Sequence, residues 1–405
     1  MPHATIGQSA LLCLLFVLAC IVGLGGCSSG GSELVSDVRL KSTVAVLPTD
    51  GSVTVSNVTE TNLILTGGSA PVPGQVLVST KDAGWMRKVT GVATQPNGSW
   101  LVTTIPATLE DVVQSGSIRV HGSLLPEDVA QSTLAPGVTL QPRFRAPYQY
   151  TFTMNNYALG GGATGSGVIN LNVDYVADYD FSNDGHLSHA LIKITLSGLS
   201  AMDVKFSDAF QSNGSNTTYA TFQWAPIPIT GTPLVFTPSL SLSNAMVGNC
   251  EAHVTVQPVV SCNGFGQLEI TRLADGSYTV SHDGNMTYSG SFKPTQANAF
   301  CKANFELDPI ILKFDFKLQN VPGPTFYCNA PGFSVLWNAT LDANSPISVL
   351  ALSAKNSLTL DVPGGTFAQW AAGLGSQPAS YTLVNRTDGL ANKTFNPGNS
   401  NVELH

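Results

Sequence analysis

Apolar and polar residues alternate through much of this chain. The cleanest run is Leu312-Lys313-Phe314-Asp315-Phe316-Lys317-Leu318, and Ile192-Lys193-Ile194-Thr195-Leu196 repeats it. Successive side chains of a strand point to opposite faces, so both runs predict strands with one face on a core and the other in water. Shorter apolar runs at 44–47, 53–55 and 63–65 are punctuated by Asp50-Gly51 and Gly67-Gly68, which are turn formers. Two hairpins stand out. Asn97-Gly98 joins 87–92 to 100–104, and Asp275-Gly276 joins 268–272 to 278–281. Further strands are expected at 118–121, 333–337 and 357–360. Helix signals are few: a short helix at 106–113 capped by Thr108, and another at 366–374.

These elements predict an all-β chain. Its domains are expected as two antiparallel β-sandwich or barrel-like units, 43–133 and 148–405, separated by a Pro-rich linker at 134–147. The Gly-rich run 160–167 reads as a flexible loop, because no helix signal follows it to cradle a phosphate. A membrane-spanning barrel is the alternative for so many amphipathic strands. It calls for aromatic girdles, and aromatic residues are 8% of the chain.

The N-terminal pattern is of another kind. No Asp, Glu, Lys or Arg precedes Glu33, and 11–24 is almost wholly apolar. That run has the length of a signal-peptide core and falls short of the roughly 20 residues of a membrane span. It ends in Leu24-Gly25-Gly26-Cys27, which resembles the lipobox of bacterial lipoproteins. The resemblance implies a signal peptide at 1–26, a diacylglycerol on the Cys27 thiol and an acylated new amino terminus. Ser28 after the cysteine implies the outer membrane, with the protein facing the cell surface or the periplasm. Residues 27–42 then form a flexible tether, beginning with the polar run at 28–32. Two or more acyl chains anchor durably where one does not. Plain secretion and a retained N-terminal helix are the other readings of the same run.

Composition narrows the partners. Charged residues are 11% of the chain against a usual value of about 25%. The net charge is −8 and the 18 Lys and Arg are scattered, which argues against nucleic-acid binding. The remaining partners are the membrane, through the anchor, and an envelope protein or glycan. Residues 74–111, with Gly74-Gln75-Val76-Leu77-Val78-Ser79 and Gly84-Trp85-Met86-Arg87-Lys88-Val89-Thr90, resemble a module of large bacterial surface proteins, which implies location and not chemistry.

Beyond Cys27 there are four cysteines: Cys250, Cys262, Cys301 and Cys328. An even number in an exported chain reads as disulfides, with three possible connectivities. Cys250–Cys262 and Cys301–Cys328 are expected, since each would close a local strand-turn-strand unit. Free thiols are the alternative. A metal site would need closer spacing or more imidazole than His253 alone.

The sharpest candidate for chemistry is the stretch 178–185. Asp178, Asp180, Asn183 and Asp184 supply oxygen ligands beside a turn glycine, which suits Ca²⁺, although no Glu closes the loop as in an EF-hand. An acidic β-turn is the plainer reading; His186 and His189 follow it, too few for a zinc site. Glu110-Asp111 and Glu127-Asp128 are read as solvated turn positions, and Trp85 beside Arg87 and Lys88 as packing or a glycan contact. No HExxH or P-loop motif occurs. The expected function is a non-enzymatic, lipid-anchored envelope protein for adhesion, structure or partner binding. A secreted glycan hydrolase and a periplasmic binding or assembly factor are the alternatives.

Overall fold

The computed structural model describes residues 33–59, 61–81, 84–141, 148–206, 210–214, 216–250, 254–297, 300–319, 321–342, 345–362, 379–395 and 402–404. In chain order the strands are β1 (Glu33–Ser36), β2 (Arg39–Leu40), β3 (Val44–Val46), β4 (Thr54–Ser56), β5 (Asn62–Thr66), β6 (Val76–Ser79), β7 (Trp85–Thr94) and β8 (Trp100–Pro106). The helix α1 (Leu109–Val112) follows, then β9 (Val113–Ser123), β10 (Val129–Leu134), β11 (Val138–Leu140), β12 (Tyr150–Gly160), β13 (Ala163–Phe181), β14 (Leu187–Phe206), β15 (Phe210–Asn213) and β16 (Thr217–Trp224). The last group is β17 (Ile227–Pro228), β18 (Val235–Phe236), β19 (Ser239–Cys250), β20 (Val254–Arg272), β21 (Tyr278–Ala297), β22 (Phe300–Leu318), β23 (Val321–Asp342), β24 (Ser345–Val362), β25 (Ala379–Phe395) and β26 (Val402–Leu404).

The strands form three sheets. The first runs β1-β9-β13-β14-β20-β21-β26, with β2 beside β9 and the β11–β12 pair beside β13. The second runs β10-β16-β19-β22-β23-β24-β25, with β15 on β19 and the β17–β18 pair on β22. The third, small sheet runs β3-β6-β7-β8-β5-β4, and its β3–β6 pair is parallel. The all-β, antiparallel sandwich expected from the alternation is what the chain builds.

Alternation decides which faces meet. On β13, Val173, Tyr175, Ala177, Tyr179 and Phe181 point inward; on β22, Leu312, Phe314, Phe316 and Leu318 do. Tyr175 packs against Phe236, Phe314 and Phe316, so the core lies between the first and second sheets. In the third sheet, β6 divides its side chains. Val76 and Val78 join this main core, while Leu77 joins a separate cluster with Leu63, Leu65, Val89 and Val102. Trp85 packs at the edge of that second cluster.

The local signals translate directly. Gly98 has φ +80, a value open to glycine, in the turn that returns β7 onto β8. Arg272 faces Tyr278 across the Asp275-Gly276 turn. Thr108 caps α1 in a reciprocal box: its hydroxyl accepts from the Asp111 N–H while the Asp111 carboxylate accepts from the Thr108 N–H. Lys88 Nζ reaches the same carboxylate at 2.9 Å. Partial burial works to raise the Asp111 pKa, but the Thr108 and Lys88 hydrogen bonds outweigh it and hold the carboxyl below its ordinary value. The folded pKa is thus depressed, so the contribution is present above the unfolded pKa and disappears as pH falls through the folded one. Asp111→Asn is expected to cost about 1 kcal/mol at pH 7. That difference should fade below about pH 4, as urea unfolding at a series of pH values would show.

The domain boundaries need correcting. The strands β1 and β2, within the expected tether 27–42, pair with β9. The strand β9 pairs with β13, and β10 with β16, so both belong to the large sandwich and not to a separate unit 43–133. The expected linker 134–147 contains β11, which is hydrogen-bonded to β12; 142–147 lie outside the described residues. The expected loop 160–167 is a tight turn at 161–162 leading into β13. The leader, Cys27 and the helix expected at 366–374 also lie outside the described residues.

The expected disulfides are corrected by register. Cys262 and Cys328 are both buried, and neither is bonded to another cysteine in this structure. Cys301 stands opposite Ala339 and Cys328 opposite Leu312 on one β22–β23 ladder. At about 3.4 Å per residue the two are roughly 35 Å apart, far beyond the ~7 Å between Cα atoms that a bridge allows. Cys262 lies about 26 Å along β20 from Val254, and the chain from Cys250 to Val254 spans at most about 14 Å. Cys250 and Cys262 therefore cannot meet either.

Candidate functional site

The densest polar constellation lies on the outward face of the first sheet. It exists because β9, β13, β14 and β20 are neighbours, and because their outward positions alternate with the core residues just described. Arg119 and His121 come from β9, Asp178 and Asp180 from β13, His189 from β14 and Glu269 from β20. In register, Arg119 faces Asp178, and Asp180 faces His189. The side chains reach diagonally as well as straight across.

The result is a continuous row. His121 Nε2 is 2.6 Å from Asp178 Oδ1. Arg119 Nη2 donates to Asp180 Oδ1 at 2.5 Å, and its Nε lies 4.0 Å from Asp178 Oδ2. His189 bridges two carboxylates, with Nδ1 3.3 Å from Asp180 Oδ2 and Nε2 3.0 Å from Glu269 Oε1. Each member keeps some access to water, so the individual pairs contribute about 0–1 kcal/mol to stability. Their significance is geometric, as a fixed stripe of alternating charge.

At the β13–β14 turn the row meets a second group. Glu110 of α1 is 6% exposed. Its Oε1 accepts from the Leu187 N–H at 2.9 Å and the Tyr278 hydroxyl at 3.0 Å, and its Oε2 lies 3.3 Å from His186 Nδ1. Burial, then the nearby Glu110 charge, push the Tyr278 hydroxyl up to about 12. In the turn, Asp184 accepts from Ser182 and from Arg272 Nη1, and these bonds hold its carboxyl well below the usual range.

The oxygen cage expected for Ca²⁺ is not assembled. Asp178 and Asp180 project from the sheet face, and Asn183 and Asp184 sit exposed in the turn beyond. The three carboxylates are taken up separately: Asp178 by His121 and Arg119, Asp180 by Arg119 and His189, Asp184 by Ser182 and Arg272. Among the described residues no group of three or more His, Cys, Asp or Glu is placed to hold a metal ion. Glu110 and Asp111, expected in solvent, are instead a buried hub and a helix cap. Arg119, His121, Glu269 and Tyr278 carried no local signal as a group, because only strand register brings them together.

A separate cleft of about 370 Å³ is lined by Leu124, Asp128, Tyr175, Trp224, Pro226 and Pro228. Trp224 is fixed in it by an indole N–H donated to the Leu125 carbonyl at 3.0 Å.

Among the described residues no helix is long and apolar enough to cross a membrane, which leaves strands out of account. The chain matches no family model, no curated protein and no solved structure.

Proposed function

We propose that this chain is a non-enzymatic, lipid-anchored protein of the bacterial cell envelope, whose β body offers a rigid polar face to an envelope protein or glycan. The observation that carries the reading is the charged row spanning β9, β13, β14 and β20 on an open sheet face. Its acids and bases satisfy one another side by side, an arrangement suited to docking a complementary polar surface. Strands of 19 to 20 residues make that face part of a body about 65 Å long. The lipobox-like Leu24-Gly25-Gly26-Cys27 supplies the anchor, and the module-like stretch 74–111 supports a surface location.

Cys27→Ser is the test of anchoring. Nearly all of the variant should leave the membrane fraction in a carbonate wash that retains the native chain. Equal retention of both would sink the anchor. Protease treatment of intact cells then reads the facing: cleavage places the body at the surface, and protection places it in the periplasm.

A second reading, a glycan-binding or glycan-cleaving protein, draws on the Tyr175–Trp224 cleft with its Asp128 carboxylate. A rise in thermal midpoint with soluble oligosaccharides, abolished by Trp224→Phe with Asp128→Asn, would favour it.

A further inference from the structure

The two buried thiols occupy facing sheets. Cys262 points inward from β20 of the first sheet, and Cys328 inward from β23 of the second. The Cys262 sulfur lies over Gly198, 3.3 Å from where a Cβ would stand. Cys328 Sγ reaches across to the first sheet, 3.7 Å from Met286 Sδ on β21. Met286 is the cross-strand partner of Gly264, the next inward position after Cys262. Glycine also sets the spacing of the layers. A Cβ at Gly266 would stand 2.7 Å from Leu358 Cδ2, and Leu358 is the partner of Cys328 on β24. Stacked sheets ordinarily lie about 10 Å apart, and here bare backbone faces the opposing side chains.

We propose that Cys262 and Cys328 are the two halves of an inter-sheet disulfide that pins the sandwich across its core. Of the three connectivities, register removes two. Cys250 faces Ala303 on β22, so Cys328, opposite Leu312 on the same strand, is about 30 Å from Cys250 along the sheet. Only Cys262–Cys328 with Cys250–Cys301 remains. Cys301 is two residues from Ala303, which makes it the diagonal neighbour of Cys250.

The chemistry is thiol–disulfide exchange with a donor disulfide. One cysteine thiolate attacks the donor and expels one donor thiol. The second thiolate attacks the resulting mixed disulfide and expels the other. Two S–H bonds are replaced by one S–S bond, and the donor takes up two electrons and two protons. Burial pushes the Cys262 thiol up to about 11 and the Cys328 thiol well above its ordinary range, with Cys262 nearby adding to the latter. Thiolate is the reactive form, so the folded chain exchanges slowly and the bond forms while the sheets are closing.

The test maps thiols on the full chain. It is refolded from reducing denaturant in reduced and oxidised glutathione, quenched with acid, denatured, alkylated without reductant and digested for mass spectrometry. The expected product is one cross-linked peptide joining Cys262 to Cys328, with neither cysteine alkylated. The same link should form in the Cys250→Ser, Cys301→Ser double variant. The same mapping of chain isolated from membranes without any reduction gives an independent reading. Alkylation of both cysteines in every preparation, or linkage of Cys262 to Cys250 or of Cys328 to Cys301, overturns the proposal.

Discussion

Phe316→Ala is expected to lower the unfolding free energy by about 3–5 kcal/mol. Phe316 is fully buried on β22. Its ring lies 4.5 Å from that of Phe314 in an edge-on contact, 5.8 Å from Phe236 and 5.9 Å from Phe326. Tyr175 of the opposite sheet completes the shell at 6.3 Å. Truncation therefore removes both transfer energy and several aromatic contacts, and rings held by two stacked sheets cannot collapse into the void. The midpoint of urea unfolding reads the loss. Lys317→Ala, next along the strand and on its outward side, should stay within about 0.5 kcal/mol. A loss below about 1 kcal/mol for Phe316→Ala would show that this cluster does not organise the core.

Glu110→Ala is the second large effect, about 2–4 kcal/mol. It strips the acceptor from the buried Leu187 N–H and from the Tyr278 hydroxyl, and each donor left unmatched costs roughly 1–3 kcal/mol. One carboxylate on a four-residue helix thus ties the small sheet's end to β14 and β21. Glu110→Gln keeps an acceptor and the shape, so it should recover much of the loss. It also has a spectroscopic signature. Burial and the Glu110 charge raise the folded Tyr278 pKa to about 12, above the unfolded value of about 10. The proton is held more tightly in the folded chain, so this contribution is complete below about pH 10 and is lost as pH rises towards 12. Removing the charge should move the ultraviolet titration of Tyr278 to lower pH. An unmoved titration would break the assignment of Glu110 as its partner.

Short-range chemistry was legible in the chain, and long-range register was not. The Asn97-Gly98 and Asp275-Gly276 turns, the Thr108 cap and the inward set Leu312, Phe314, Phe316 and Leu318 each depend on a few consecutive residues. Strand length escaped, because polar-rich runs such as 254–267 and 282–291 lack an apolar alternation strong enough to read through. The supposed linker escaped for a related reason: Pro and Gly punctuate 134–138, yet the strand β11 needs only β12 to pair with. The charged row and the cysteine geometry depend on which strands become neighbours. His189 and Glu269 are far apart in the sequence, and nothing between them announces that β14 will lie beside β20.

The neighbours in the first sheet have a kinetic consequence. Its order takes β1 to β9, β14 to β20 and β21 to β26, so many of its ladders join segments distant along the chain. Loop closure must precede the reward for such pairings, and domains of high contact order fold slowly, in milliseconds to seconds or longer. A chain threaded outward from its N-terminus would hold β13 and β14 ready, with Tyr175 of β13 bare, until β18 and β22 arrive to cover it. If the chain is exported as proposed, that interval is when a holding chaperone has work to do, and its length would be set by the speed of translocation.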